Sequence, residues 1–315
     1  MSVDRRFLIK SFVAAGAAAV AGEATSEARV RAPLPADALG LLYDTTRCIG
    51  CKTCVVACRE ANGTKPDTSN SPGGIWDTPM DLNGQTKTVI KLYKSADGYE
   101  RSFFKAQCMH CVDPACTNAC MLGALKKREH GIVSYNPNLC IGCRYCQMAC
   151  PFNVPKFEWG KTFPKIVKCE LCRHRAAGAS LSTIGGFSRY PKGHGPACAE
   201  VCPRDAVIYG TRQELLAEAR RRLAANPDRY VPKIYGETDG GGTQCLYLSH
   251  VPFEKLGLPK LTDQPVPEVQ QAIQHGIYQG FVAPVVLYGL LGAVMFRNRK
   301  KAASEETSAE KGGEL

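Results

Sequence analysis

The chain has 315 residues, a length for about two domains, and its 44% hydrophobic and 22% charged content excludes a wholly disordered or fibrous polypeptide. A formal charge of +11 would suit a polyanionic partner, but that count treats all 17 cysteines as neutral. Sixteen of them lie between Cys48 and Cys202, about one residue in ten of that stretch, so a core packed from Leu, Ile and Phe alone is excluded there.

At the N-terminus, Asp4-Arg-Arg-Phe-Leu-Ile-Lys10 precedes a small-residue apolar run from Phe12 to Gly22. Paired arginines before a weakly apolar, alanine-rich core read as a twin-arginine export signal over residues 1–36. A Sec signal needs no arginine pair and has a more strongly apolar core. The twin-arginine route carries folded proteins, so a chain loaded with a metal group in the reducing cytoplasm could cross intact.

The body, residues 37–210, contains an internal repeat written in cysteine. Cys48, Cys51, Cys54 and Cys58 give C-x2-C-x2-C-x3-C, and Cys108, Cys111, Cys116 and Cys120 give C-x2-C-x4-C-x3-C. Cys140, Cys143, Cys146 and Cys150 repeat the first run before Pro151, and Cys169, Cys172, Cys198 and Cys202 close on Pro203 after a long insertion. Three cysteines on a tight loop can face three iron corners of one cube, while the fourth, expected at the start of a following helix, points to the other cube of a pair. Zinc ribbons use separated C-x2-C pairs, and a third cysteine in the same loop is not their habit. Disulfides suit an exported protein, but three cysteines within seven residues pair poorly with one another. Ile132 and Tyr135 suit the short strands of an α+β body. His110 lies inside a completed quartet and reads as an outer donor or a surface residue.

Beyond the quartets, Thr211-Arg-Gln-Glu214 is a capping-box sequence opening a helix with Leu215, Leu216, Ala219 and Leu223 on one face. Its Arg220, Arg221 and Arg222 are expected to be solvated. Asn226 to Leu261 is rich in Pro and Gly and reads as irregular chain, with Cys245 as a spare free thiol, so 211–268 is an extension of the body. Residues 269–296 contain no Asp, Glu, Lys or Arg, and twenty helical residues span a bilayer core of about 30 Å. Arg297, Arg299, Lys300 and Lys301 follow at once. The positive-inside rule then puts the 297–315 tail in the cytoplasm and the body in the periplasm, as a single-pass inner-membrane protein. His275 would sit near the headgroups, where a bland interfacial role is the simplest.

Cys140-Ile-Gly-Cys-Arg-Tyr-Cys-Gln-Met-Ala-Cys-Pro, Gln107-Cys-Met-His-Cys-Val-Asp-Pro-Ala-Cys and Lys168-Cys-Glu-Leu-Cys resemble the four-cluster ferredoxin-like electron-transfer subunits of respiratory oxidoreductases. The twin-arginine signal, Gly240-Gly-Gly-Thr-Gln, the Val251 to Leu261 stretch and the C-terminal anchor most resemble the HybA-type subunits of membrane-bound nickel–iron hydrogenase-2. The resemblance implies duplicated bacterial ferredoxin-like domains holding four [4Fe–4S] clusters, with a C-terminal transmembrane helix. It also implies crossed ligand sets. One cube would take Cys48, Cys51, Cys54 and Cys202, and its partner Cys58, Cys169, Cys172 and Cys198. The second pair would use Cys108, Cys111, Cys116 and Cys150, and then Cys120, Cys140, Cys143 and Cys146. Met121 replaces a proline often found after the fourth cysteine, and the insertion from Leu181 to Ala197 lengthens the last quartet.

Four such cubes with their thiolates carry roughly −2 each, about −8 together, which brings the balance to roughly +3. No basic stripe interleaved with aromatics remains, and nucleic-acid binding is not expected. A cube with four thiolates has no open iron, and the sequence shows no nucleophile–base pair or phosphate-cradling loop. The resemblance implies a non-catalytic relay between the hydrogenase small and large subunits and an integral membrane quinone-reactive subunit. The alternative within the same family is the iron–sulfur subunit of a formate dehydrogenase or molybdopterin oxidoreductase. Outside it stand a catalytic-cluster enzyme, which would need a quartet reduced to three cysteines, and a structural zinc scaffold.

Overall fold

The computed structural model describes residues 34–66, 79–176, 195–267 and 288–299. They fall in two compact units, Arg31–Pro267 and a second composed of Met1–Val30 with Glu268–Leu315. All 17 cysteines belong to the first.

The first strand, β1 (Leu39–Asp44), is buried along its whole length because it is the centre of a three-stranded sheet. β8 (Val207–Thr211) pairs with it antiparallel, Leu41 opposite Tyr209, and β9 (Cys245–Leu248) pairs parallel, Tyr43 opposite Tyr247. Side chains alternate across a pleated strand, so the sheet has two different faces. Leu42, Ile208, Leu246 and Leu248 pack on α6 (Arg212–Ala225) through Leu215, Leu216 and Ala219. Leu41, Tyr43, Val207, Tyr209, Cys245 and Tyr247 face the other way, into the core that holds Cys54, Cys108, Cys169 and Cys198. Gly40 is required at this sheet, because a Cβ there would lie 2.0 Å from the Gln244 carbonyl oxygen.

Against the cysteine face lies the hairpin of β2 (Val89–Lys94) and β3 (Arg101–Ala106), registered Ile90 to Lys105. Two smaller hairpins, β4 (Leu125–Lys127) with β5 (Val133–Tyr135) and β6 (Lys156–Phe157) with β7 (Ile166–Val167), frame a separate cluster around Cys116 and Cys146. Tyr135 ends β5, and Ile132 immediately precedes it. The remaining helices are α1 (Thr53–Asn62) and the short turns α2 (Ala115–Asn118), α3 (Tyr145–Ala149), α4 (Arg173–Ala176) and α5 (Ala197–Glu200). α1 packs on α5, and α2 on α3.

Three expectations are corrected. The boundary after residue 210 cuts β8, and the stretch read as an irregular extension supplies β9 and buries Val251, Phe253, Leu256 and Leu258 in the cysteine core. The surrounding Pro and Gly hid a four-residue strand. Arg222 is not solvated: it is buried and paired with Glu218 (2.7 Å) and Asp44 (2.9 Å). The third cysteine of each run stands near the start of its helix, while the fourth lies inside α1 in the first run and beyond the helix end in the other three, never at a helix start. The capping box is present, Glu214 N–H donating to Thr211 Oγ1 (3.3 Å) and Thr211 N–H to Glu214 Oε2 (3.0 Å).

In the second unit, residues 288–299 are helical, with Tyr288, Leu291, Val294, Met295 and Phe296 exposed. Among the described residues no helix is long and apolar enough to cross a membrane. The expected anchor at 269–296 lies mostly outside the described residues, as do the export signal, His275, most of the 181–197 insertion and most of the tail.

Candidate metal centres

Each C-x2-C loop turns on one left-handed residue, the one before its second cysteine. These are Gly50 (φ 70°), His110 (φ 49°), Gly142 (φ 77°) and Leu171 (φ 49°). The conformation folds the backbone around the first sulfur: Gly50 N–H donates to Cys48 Sγ and Leu171 N–H to Cys169 Sγ, both at 3.4 Å. Lys52 and Arg144 are left-handed as well and precede α1 and α3. The repeat extends upstream. Tyr43 and Tyr135 stand five residues before Cys48 and Cys140, and the Asp44 and Asn136 side chains each accept the N–H two residues on, at 3.0 Å.

The third and fourth cysteines of every run are four apart; in α1 both lie within the helix and hence on one face, and in the other runs the fourth follows the helix end. Two metal groups can therefore meet α1 from the same side. Cys48, Cys51, Cys54 and Cys202 line one pocket, here site I. At site II, Asn62 Nδ2 lies 3.6 Å from Cys58 Sγ and 4.0 Å from Cys172 Sγ; Cys169 and Cys198 interact electrostatically with both cysteines. Cys111 interacts likewise with Cys150, Cys116 and Cys108, making site III. Cys120, Cys140, Cys143 and Cys146 line another pocket, site IV. At each of these places a cysteine of one run thus stands among cysteines of another.

Neighbouring groups adjoin one another: Cys54 is near Cys198, Cys245 is near both Cys108 and Cys198, and Cys116 is near Cys146. Burial, reinforced by neighbouring sulfurs, pushes the Cys54 and Cys150 thiols up to about 11 and those of Cys146 and Cys198 to about 12. Metal-free, these groups keep their protons at neutral pH, and metal binding must release them. No cysteine is in a disulfide. Among the described residues no three His, Cys, Asp or Glu side chains converge on a single ion position. Four sulfurs spread around a volume suit a multi-iron cube. Cys51 and Cys143, the exposed cysteines, belong to sites I and IV.

Of the residues around the sulfurs, Asn62, Lys105 and Tyr247 gave no sequence signal, whereas Cys245 and His110 did. Asn62 Oδ1 accepts from Lys87 Nζ (3.0 Å), which orients its amide onto site II. Lys105 is buried beside sites I and II, and the Tyr247 hydroxyl donates to its carbonyl at 2.8 Å. Cys245 is no loop thiol: it is buried in β9, donating to Cys108 O (3.3 Å) and accepting from Gln107 Nε2 (3.5 Å). His110 is fully buried, and its Nδ1 accepts the Val133 N–H at 3.1 Å, leaving Nε2 unpartnered. Burial, with Lys168 and Lys127 nearby, holds His110 well below its ordinary value and therefore neutral.

Residues 99–212 match the family model of the 4Fe–4S dicluster domain. The chain is 39% identical over 299 residues to the hydrogenase-2 operon protein HybA of Escherichia coli O157:H7, covering 86% of this chain and 87% of that protein. It is 32% identical over 258 residues to the iron–sulfur subunit of nitrate-inducible formate dehydrogenase from Escherichia coli K12, covering 79% and 80%. The formate dehydrogenase iron–sulfur subunit of Haemophilus influenzae is 34% identical over 227 residues, covering 70% and 68%.

Proposed function

The chain belongs to the HybA-type iron–sulfur electron-transfer subunits, and from that membership we propose a relay through four [4Fe–4S] clusters between a hydrogenase catalytic dimer and a quinone-reactive membrane subunit. The relay works on the periplasmic side of the inner membrane, held there by residues 269–296. The observation that carries this reading is that cysteines of different runs meet, Cys202 beside Cys48, Cys51 and Cys54, and Cys120 beside Cys140, Cys143 and Cys146.

A [4Fe–4S] cluster supplies one-electron exchange with no substrate bond made or broken. The chain's residues do the rest. Sixteen thiolates fix the spacing, and the helical turn carrying Cys54 with Cys58, and the segment carrying Cys116 with Cys120, tie neighbouring sites rigidly. Tyr43, Phe104 and Tyr247 exclude water from the interior, and Asn62 and backbone N–H groups donate to sulfur, which tunes the potential. Electrons would enter and leave at the sites with exposed cysteines, I and IV.

The 32–34% identity to formate dehydrogenase iron–sulfur subunits keeps that catalytic partner as the second reading. The donor separates the two, hydrogen in one case and formate in the other.

Chemical analysis of the anaerobically purified chain should give about 16 iron. Cys143→Ala should remove one cluster and abolish hydrogen-dependent quinone reduction, while the catalytic subunits still reduce an artificial dye. If the substitution stops dye reduction as well, the chain is more than a relay.

A further inference from the structure

Lys105 is an anomaly in a core. It stands on β3 with no exposed surface, and its ammonium donates to Thr88 Oγ1, itself buried between the strands of the hairpin. Among the described residues it meets no carboxylate and no second oxygen. Burying an ammonium is strongly unfavourable unless an anion compensates it. The anions within reach are sulfurs, and they come from two sites: Cys54 of site I, and Cys58, Cys169 and Cys198 of site II. Ile90, its cross-strand partner, lines the pocket of Cys48, Cys51, Cys54 and Cys202, which sets Lys105 on that face of the hairpin. Lys168 makes the contrast. It too is buried, but two of its donors go to the Val133 and Cys169 carbonyls, whose dipoles already offset its charge.

We propose that the Lys105 ammonium, clamped by Thr88 at the inner end of the hairpin, is a fixed positive charge shared by sites I and II, raising the reduction potentials of both clusters above those the cysteines alone would give. The inference rests on the four-cluster reading. An electron reaching either site adds one negative charge beside a cation that no water screens, and the interaction is strong at low effective dielectric. The electron comes from the preceding site or donor and leaves to the next. The proton stays on Nζ and no bond changes, so the contribution is electrostatic and does not depend on proton uptake.

The test is a redox titration of the full-length, cluster-loaded chain, followed by electron paramagnetic resonance, with iron measured on the same samples. Lys105→Met keeps the length of the side chain and removes the charge. At fixed potential the reduced-to-oxidised ratio of two of the four clusters should fall about tenfold, a downward shift of about 59 mV for one electron, with the other two unchanged. Thr88→Val, which keeps the charge and loosens its clamp, should move the same two by less. Full iron with all four clusters unmoved, or all four moved alike, overturns the proposal. If Lys105→Met loses iron, Lys105→Arg decides: recovery supports a need for charge, and failure to recover assigns Lys105 to packing and overturns it. A wild-type chain without iron sinks the four-cluster reading itself, whereas a loaded wild type with an unshifted variant sinks only this inference.

Discussion

At the scale of single residues, the four left-handed positions before the second cysteines separate two kinds of constraint. Gly50 and Gly142 share a conformation, but a Cβ at Gly50 would meet the Phe103 ring at 2.3 Å, whereas at Gly142 the nearest atom, in Pro164, is 3.4 Å away. Gly142→Ala should therefore cost only the conformational strain, about 1–2 kcal/mol, and keep its iron. Gly50→Ala should cost more and lose iron from site I, since the Phe103 ring must move and its carbonyl anchors the Tyr43 hydroxyl (2.8 Å). Denaturant midpoints and iron content of the two variants check this, and equal losses would show that the ring contact is unimportant. The ligand spacing was legible in the sequence because it is local, set by residues two to four apart. Asn62, Lys105 and Tyr247 were not. What they touch is decided by partners such as Cys172, Cys198 and the Lys105 carbonyl, brought in from other runs.

At the scale of elements, the join between α6 and β1 shows how a local pattern misleads. Three consecutive arginines on a helix read as a solvated face, and Arg220 and Arg221 are exposed. Arg222 turns inward because Asp44, 178 positions earlier, is buried at the end of β1, where it also accepts from the Tyr230 hydroxyl (3.0 Å) and from Thr46 Oγ1 (2.7 Å). Removing one member of a buried ion-pair network leaves the others unpaired, so Arg222→Met should cost about 3–5 kcal/mol at neutral pH. Burial works to raise the Glu218 pKa, but its hydrogen bonds from Arg221 and Arg222 prevail and hold it below the ordinary carboxylate value. Such a group stabilises the fold above its unfolded pKa, and that contribution is lost as pH falls through the folded one. The penalty of Arg222→Met should accordingly shrink as pH falls through the carboxylate range. Anaerobic denaturation of both proteins at a series of pH values measures it, and a penalty constant with pH would mean that the arginine matters only for packing. The α+β class and the capping box of α6 were readable from local pattern. β9 was not, because its four residues are specified by the two faces of a sheet assembled from strands far apart in sequence.

At the scale of the molecule, the division of labour between the two units is itself testable. Among the described residues, Arg31–Pro267 contains every cysteine, every paired strand and the three apolar clusters. We propose the apolar run at 269–296 as the anchor, from the charges that flank it. A chain ending at Pro267 should therefore carry as much iron as the full chain. Expressed without partner subunits, the full chain should sediment with membranes and the shortened one should not. Assembled with its partners, the shortened chain should still permit dye reduction while quinone reduction falls, because the exit site is no longer held at the bilayer. A shortened chain that still sediments alone would place membrane attachment on the first unit, where the natural suspects are the exposed Met121, Ile141 and Met148 around site IV.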